Sequence, residues 1–164
     1  MQRWEHPNAL VRLAAIVYLL RGRLISILGD SYEGFDVSQL EGSALSVIAS
    51  PSGPVTVPQI ARILGYTRQA IQGAVANLQS LGLVRSVRNP NHKRSFLLLP
   101  TEAGLDVLRQ SSEQADRLAN PVLRHLDPDD LAQAVDRLWH LLGEIDEATE
   151  RELDEIPQNL TAAR

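Results

Sequence analysis

The sequence predicts a mainly α protein with one small β-hairpin. Three observations carry that prediction. Apolar residues recur at three- and four-residue steps in long stretches near both ends of the chain. Between them, in "IARILGYTRQAIQGAVANLQSLGLV" at 60–84, two short helical stretches meet at a glycine. Directly afterwards, "LVRSVR" at 83–88 and "SFLLL" at 95–99 have the composition and spacing of strands, with the turn-forming "NPN" between them.

Each element has its own signals. Residues 8–28 form a helix capped by Asn8, with Leu10, Leu13, Ala14, Val17, Leu20, Leu24 and Leu28 on one side. Ile16 and Leu19 widen the apolar face so far that the helix needs cover on several sides, which a second subunit could supply. "GDSYEGFD" at 29–36 reads as a loop. In the next helix, 38–49, "SQLE" is a capping box in which Ser38 caps and Glu41 reaches back, while Leu40, Ala44, Val47 and Ile48 face inward. "TVPQ" at 56–59 repeats the box, with Pro58 in the first turn, where its missing N–H costs nothing.

Ile60, Ala61 and Leu64 belong to a short helix that Gly65 ends. Tyr66 follows as an expected buried anchor, and Thr67 caps a helix whose inward residues are Ile71, Val75 and Leu78. Gly82 closes it. The spacing of Ala61, Gly65 and Ile71 is that of a helix-turn-helix: a small residue for close crossing, a glycine for the turn, and a branched apolar residue to lock the second helix on the first. A hairpin directly after it makes a winged helix. The expected fold is therefore a winged helix-turn-helix flanked by long N- and C-terminal helices. In the C-terminal part, Thr101 caps a helix with Leu105, Leu108, Ala115, Leu118, Val122 and Leu123 on its buried side, and Pro121 should kink or break it. Asp127 and Pro128 open the last helix, where Leu131, Val135, Leu138, Leu142 and Ile145 repeat at helical steps to about residue 155.

Charge is unevenly spread. Residues 1–41, 42–101 and 102–164 carry nets of −1, +6 and −9, which give the overall −4. The middle segment contains no acid at all, and its basic side chains gather at the hairpin tip, "RNPNHKRS" at 88–95. An acid-free lobe in an acidic chain points to an anionic partner, and a winged helix makes duplex DNA the natural one. On the outward face of the second helix of the motif, the candidate base readers are Arg68, Gln69, Gln72 and Gly73, with Ala76 beside them and Thr67 at the cap. Arginine pairs well with guanine and glutamine with adenine, and a glycine lets the backbone approach the groove. Lys93 and Arg94 on the wing, with Arg88 at the strand end, are candidate phosphate or minor-groove contacts.

Several chemistries find no support. The chain has no cysteine, which excludes a disulfide framework, a thiolate metal site and thiol redox sensing. There is no nucleophile motif, phosphate loop or paired-carboxylate pattern, so neither an enzyme nor a cofactor is expected. His125 near Asp127, Asp129 and Asp130 is better read as a helix cap with first-turn acids than as a metal site. No secretory leader is visible, and the apolar stretch at 9–20 is short and broken by Arg12, so a soluble cytoplasmic protein is expected, away from membranes.

Over most of its length, and most strongly from 55 to 105, the sequence resembles the MarR family of bacterial transcription regulators. The motifs that carry the resemblance are the 60–84 stretch, the wing, and "PTEAG" opening the next helix. The family wing usually reads Asp-Pro-x-Asp-x-Arg. Here Pro90 and Arg94 match, Asn89 and His92 replace the two acids, and Pro100 stands where leucine is usual. The resemblance implies a homodimer, with residues 1–37 as N-terminal dimerisation helix and loop, 38–100 as the winged DNA-binding lobe, and 101–164 completing the dimerisation region. It implies a regulator, most often a repressor, on a near-palindromic operator, with Arg94 inserted in a groove. His92 could add charge to the wing below about pH 6.5. It also implies a small aromatic or phenolic effector, often anionic, for which Tyr18 with Arg21 or Arg12 are the candidate residues. The alternative is a winged helix that has lost DNA affinity and serves as a protein-interaction adaptor, a reading favoured by the low charge of the recognition helix.

Overall fold

The computed structural model describes residues 5–90 and 95–155, in the last helix without the side chains of 150 and 152–155. The helices are α1 (Ala9–Leu28), α2 (Gln39–Ile48), α3 (Val57–Leu64), α4 (Arg68–Ser80), α5 (Glu102–Leu123) and α6 (Pro128–Glu155), with strands β1 (Val84–Arg88) and β2 (Phe96–Pro100) between α4 and α5. The chain forms two compact units, one running to Asn120 and one starting at Pro121. The fold is that of a winged helix with long flanking helices, as expected from the sequence.

Local signals set most boundaries. Asn8 Oδ1 accepts from the backbone N–H groups of Leu10 and Val11, which opens α1. Ser38 and Glu41 complete the capping box of α2. At α3 the reach-back is also made: Gln59 Oε1 accepts from both the Thr56 N–H and its hydroxyl, each at 2.8 Å. Both strands are shifted by one residue from their expected starts, and they pair antiparallel from Val84 opposite Pro100 to Arg88 opposite Phe96. The Leu98 N–H also donates to the Val55 carbonyl at 2.8 Å, so the segment before α3 lies beside the wing.

The core sits where α2, α3 and α4 meet the hairpin. Leu45, Ile60, Ile71 and Leu78 are fully buried there, with Val84 and Leu98 contributed by the strands. The segment expected as plain loop at 29–36 instead contains a 3-10 turn over Gly29–Tyr32. It is held by long-range contacts that a local reading does not register. Gln114 on α5 donates to the Asp30 carbonyl at 2.8 Å. The Tyr32 ring lies over α2 so closely that a Cβ at Gly42 would fall 2.2 Å from Cζ of the ring.

The joint between the hairpin and α5 accounts for "PTEAG". The Thr101 N–H donates to the Leu83 carbonyl at 3.0 Å, and the Thr101 hydroxyl donates to the Gly82 carbonyl at 2.7 Å. The same hydroxyl oxygen accepts from the Gly104 N–H at 3.1 Å, which caps α5. A Cβ at Gly104 would fall 2.2 Å from the Leu83 carbonyl oxygen, so only glycine lets α5 pass this close.

Two expectations need correction. Tyr66 is not a buried anchor; it is 42% exposed, because the turn after Gly65 carries it outward. On α5, Leu105, Val122 and Leu123 are exposed, and the buried positions are Gly104 and Ser111. On α6, Leu131, Val135, Leu138, Leu142 and Ile145 form the expected stripe but are exposed in the chain alone. Helical spacing identifies an apolar stripe without saying what covers it. The same holds for α1, where no residue is buried. Pro121 lies inside α5, which ends two residues later at Leu123. Asp127 Oδ1 accepts from the N–H groups of Asp129 and Asp130, the cap geometry expected of it.

Candidate nucleic-acid interface

Gly65 ends α3 in the left-handed conformation, at φ 69°, and the Tyr66 N–H then donates to the Ala61 carbonyl. Thr67 follows in extended geometry, and its hydroxyl accepts from the Ala70 N–H at 3.2 Å, which starts α4. Ile71, Ala74, Val75 and Leu78 bury one side of α4. The other side presents Arg68, Gln69, Gln72, Gly73 and Ala76 to solvent. No atom lies within 4 Å of where a Gly73 Cβ would stand, so that stretch of helix backbone is open to a partner.

The far half of α4 is tied to α2. Asn77 Nδ2 donates to Glu41 Oε1 at 2.9 Å, while Glu41 Oε2 accepts from the Ser38 N–H at 2.7 Å. Burial by itself would raise the Glu41 carboxyl; the hydrogen bonds from the Ser38 backbone, the Ser38 hydroxyl and Asn77 outweigh it and hold the group below its ordinary value. Both Glu41 oxygens are thus engaged, Oε1 at the α2–α4 contact and Oε2 at the start of α2.

Beside the turn lies an open groove of about 490 Å³ lined by Pro58, Gln59, Ala61, Arg62, Gly65, Tyr66 and Arg68. Arg62 and Arg68 place two guanidinium groups along it. Arg62 is a candidate that reading α4 alone misses. Its signal was its place on the outward side of α3, the first helix of the motif, in the acid-free segment.

On the wing, Arg85 and Arg88 are exposed on β1. Asn89, standing where the family has an acid, donates from Nδ2 to the Ser95 hydroxyl at 3.0 Å, and its N–H donates to the Ser95 carbonyl at 3.2 Å. The amide thus closes the base of the wing loop. His92, Lys93 and Arg94 lie outside the described residues.

The effector candidates separate. Tyr18 is 74% exposed on α1, and Arg21 stands one turn further along the same helix. Arg21 Nη2 donates to the Tyr66 hydroxyl at 3.3 Å, so α1 touches the turn that precedes α4. Arg12 is elsewhere. Its guanidinium folds back to the carbonyls of His6 and Pro7, and it sits about 13 Å from Arg21 along the helix axis. Among the described residues, no group of three or more His, Asp or Glu could hold a metal ion, and no helix is long and apolar enough to cross a membrane.

Comparison with known proteins agrees with this geometry. Residues 35–95 match the MarR family. The uncharacterized protein Rv2011c of Mycobacterium tuberculosis is 35% identical over 138 residues, which is 82% of this chain and 93% of that one. A MarR-family transcriptional regulator from Rhodococcus sp. RHA1 superposes with a TM-score of 0.70 at 17% identity, covering 83% of this chain and 96% of that one. A mutant MarR from E. coli, crystallised with operator DNA, superposes with a TM-score of 0.64 at 20% identity, covering 87% of this chain and 99% of that one. With its winged helix matching the family and its fold shared with MarR-family regulators over most of its length, the chain belongs to the MarR family of transcriptional regulators.

Proposed function

We propose that this chain is a homodimeric, sequence-specific DNA-binding regulator, most simply a repressor, acting in the cytoplasm on a near-palindromic operator. The observation that carries the reading is the outward face of α4. Arg68, Gln69 and Gln72 stand clear of the lobe's own packing beside an open Gly73 backbone, on a lobe without carboxylates in its sequence from 42 to 101. In this reading the residues of α4 read base edges, while Thr67, Arg62, Arg88, Lys93 and Arg94 meet the backbone or minor groove. Two such helices related by a two-fold axis enter successive major grooves about 10 base pairs apart. The exposed apolar faces of α1 and α6 supply the dimer contact, residues 1–37 and 101–164 serving dimerisation and 38–100 serving DNA.

Regulation follows from the contact between Arg21 and Tyr66. A small anionic aromatic ligand stacked on Tyr18 would take the Arg21 guanidinium as its counter-ion and remove it from the Tyr66 hydroxyl. Tyr66 immediately precedes the cap of the recognition helix, so the ligand would prefer a different placement of that helix from the one DNA prefers. Release requires that difference in preference, not binding alone.

The test is a salt titration of binding to duplexes tiled across the DNA flanking the protein's own gene. Six to ten phosphate contacts in the dimer should weaken binding about 10³- to 10⁵-fold between about 50 and 200 mM salt. Gln72→Ala should cost about 1–3 kcal/mol on the preferred duplex and much less on scrambled DNA. Binding that ignores both salt and sequence would leave the adaptor reading in its place.

A further inference from the structure

Phe96 opens β2 at the root of the wing, and 58% of its surface is exposed. It is unlike the other aromatic residues of the winged lobe and its approach. Tyr32 and Phe35 pack against the core, and Tyr66 accepts a hydrogen bond from Arg21. Phe96 shares its sheet face with Leu98, two residues on, which is 3% exposed and fills the core. The face that is core at Leu98 has thus become open ring surface at Phe96. A lone exposed apolar residue is ordinary. Its company is what singles this one out. Arg88 stands opposite it in register on the same face, and Arg85 and Ser86 are the other exposed residues of β1. No carboxylate occurs in the sequence from 42 to 101.

An apolar ring beside a guanidinium group suits a surface that is anionic at its rim and apolar within. The minor groove of duplex DNA is such a surface: phosphates line it, and deoxyribose C–H groups form its walls. A second copy of this chain fits less well, because a two-fold contact through Phe96 would bring two arginine-bearing wings together, like charge against like. We propose that Phe96 is the wing's apolar contact to DNA, its ring packing on the sugar wall of the minor groove while Arg88, across the hairpin, meets a phosphate. This rests on the DNA-binding reading above.

The experiment measures fluorescence anisotropy of the tightest-binding tiled duplex with the full-length chain, its Phe96→Ala and Phe96→Leu variants and Arg88→Ala, across a salt series. Phe96→Ala should bind about tenfold more weakly with an unchanged salt slope, since it removes area and no charge. Phe96→Leu, which keeps apolar bulk without the flat ring, should fall between that variant and the parent. Arg88→Ala should lower the slope by about 0.9 for each phosphate that Arg88 neutralises. Equal binding by the parent and both Phe96 variants overturns the contact and leaves the DNA-binding reading standing. A parent protein that binds none of the duplexes overturns both. Unchanged DNA affinity with weakened self-association, seen by sedimentation equilibrium of Phe96→Ala, would overturn it in favour of an interface between copies.

Discussion

Helices α1 and α2 are both strongly apolar, and their surroundings are opposite. α2 buries Gly42, Ala44, Leu45 and Ile48 in the winged lobe, against α3, α4 and the hairpin. α1, twice as long at 20 residues against 10, buries none of its own. On α6 every described side chain from Pro128 to Thr149 is likewise exposed, Leu131, Val135, Leu138 and Leu142 included. The lobe buries a continuous apolar core within a single chain, whereas the apolar faces of α1 and α6 stay exposed in it.

The largest effect belongs in the lobe. Leu78 is fully buried, and Leu78→Ala should destabilise the protein by about 2–5 kcal/mol, through the transfer energy of the deleted atoms and the cavity left behind. Gly104→Ala tests the same region by the opposite route, driving a methyl group toward the Leu83 carbonyl, and should cost about 1–3 kcal/mol or more. Both effects, read from urea denaturation, should appear in the lobe whatever the protein concentration. A Gly104→Ala protein as stable as its parent would mean that the α5–hairpin joint can relax, contrary to the close approach described above.

These two positions also show where sequence reading reaches and where it stops. Leu78 was legible because its spacing with Ile71 and Val75 marks one face of a helix, and Ser38, Thr67 and Asp127 because a cap is written in residues next to one another. Gly42 and Gly104 were not legible as close approaches. Their cause is a ring and a carbonyl from distant parts of the chain, and a glycine in a helix looks the same whether or not something presses on it. Tyr66 failed for a related reason: being aromatic suggested burial, but the left-handed Gly65 turns it outward toward Arg21. The outward face of α4 was legible as the complement of its buried face. Arg62 was passed over because it stands on α3, and the groove it shares with Arg68 is lined from both helices, which α4 read alone does not show.

A smaller effect, of different kind, belongs to the flanks. Leu20→Ser with Leu24→Ser removes two exposed apolar side chains from α1. It should leave the lobe folded and weaken dimerisation by about 1–3 kcal/mol, which sedimentation equilibrium would read as a shift toward monomer. DNA affinity should fall with it, since each lobe alone keeps only half of the dimer's hold on the duplex. If the parent chain is already monomeric at micromolar concentration, the apolar faces of α1 and α6 are covered by something other than a second copy.

The smallest effect lies in the lobe again, at the tie between α2 and α4. The Glu41 carboxylate has two acceptor oxygens in use, one on the Ser38 N–H and one on the Asn77 amide. Glutamine offers one acceptor and one donor, so Glu41→Gln gives up one of these bonds or turns the Asn77 amide over and loses its contact with the Ser80 hydroxyl, at a cost of about 0.5–1.5 kcal/mol at pH 7. Burial tends to raise the Glu41 pKa, but its hydrogen bonds prevail and lower it below the ordinary 4.5. A carboxyl with a lowered folded-state pKa contributes stability that is complete above its unfolded value and is lost as pH falls through the folded one. The parent should therefore lose its advantage over Glu41→Gln as pH falls from 4.5 toward that lowered value, while the variant's own stability carries no such component from this position. Urea midpoints of the two proteins, measured from pH 7 down to about pH 3, would show the gap closing. A gap that stays constant over that range would mean that the carboxylate's charge contributes nothing to holding the recognition helix on α2, and that Asn77 would be held as well by a neutral partner.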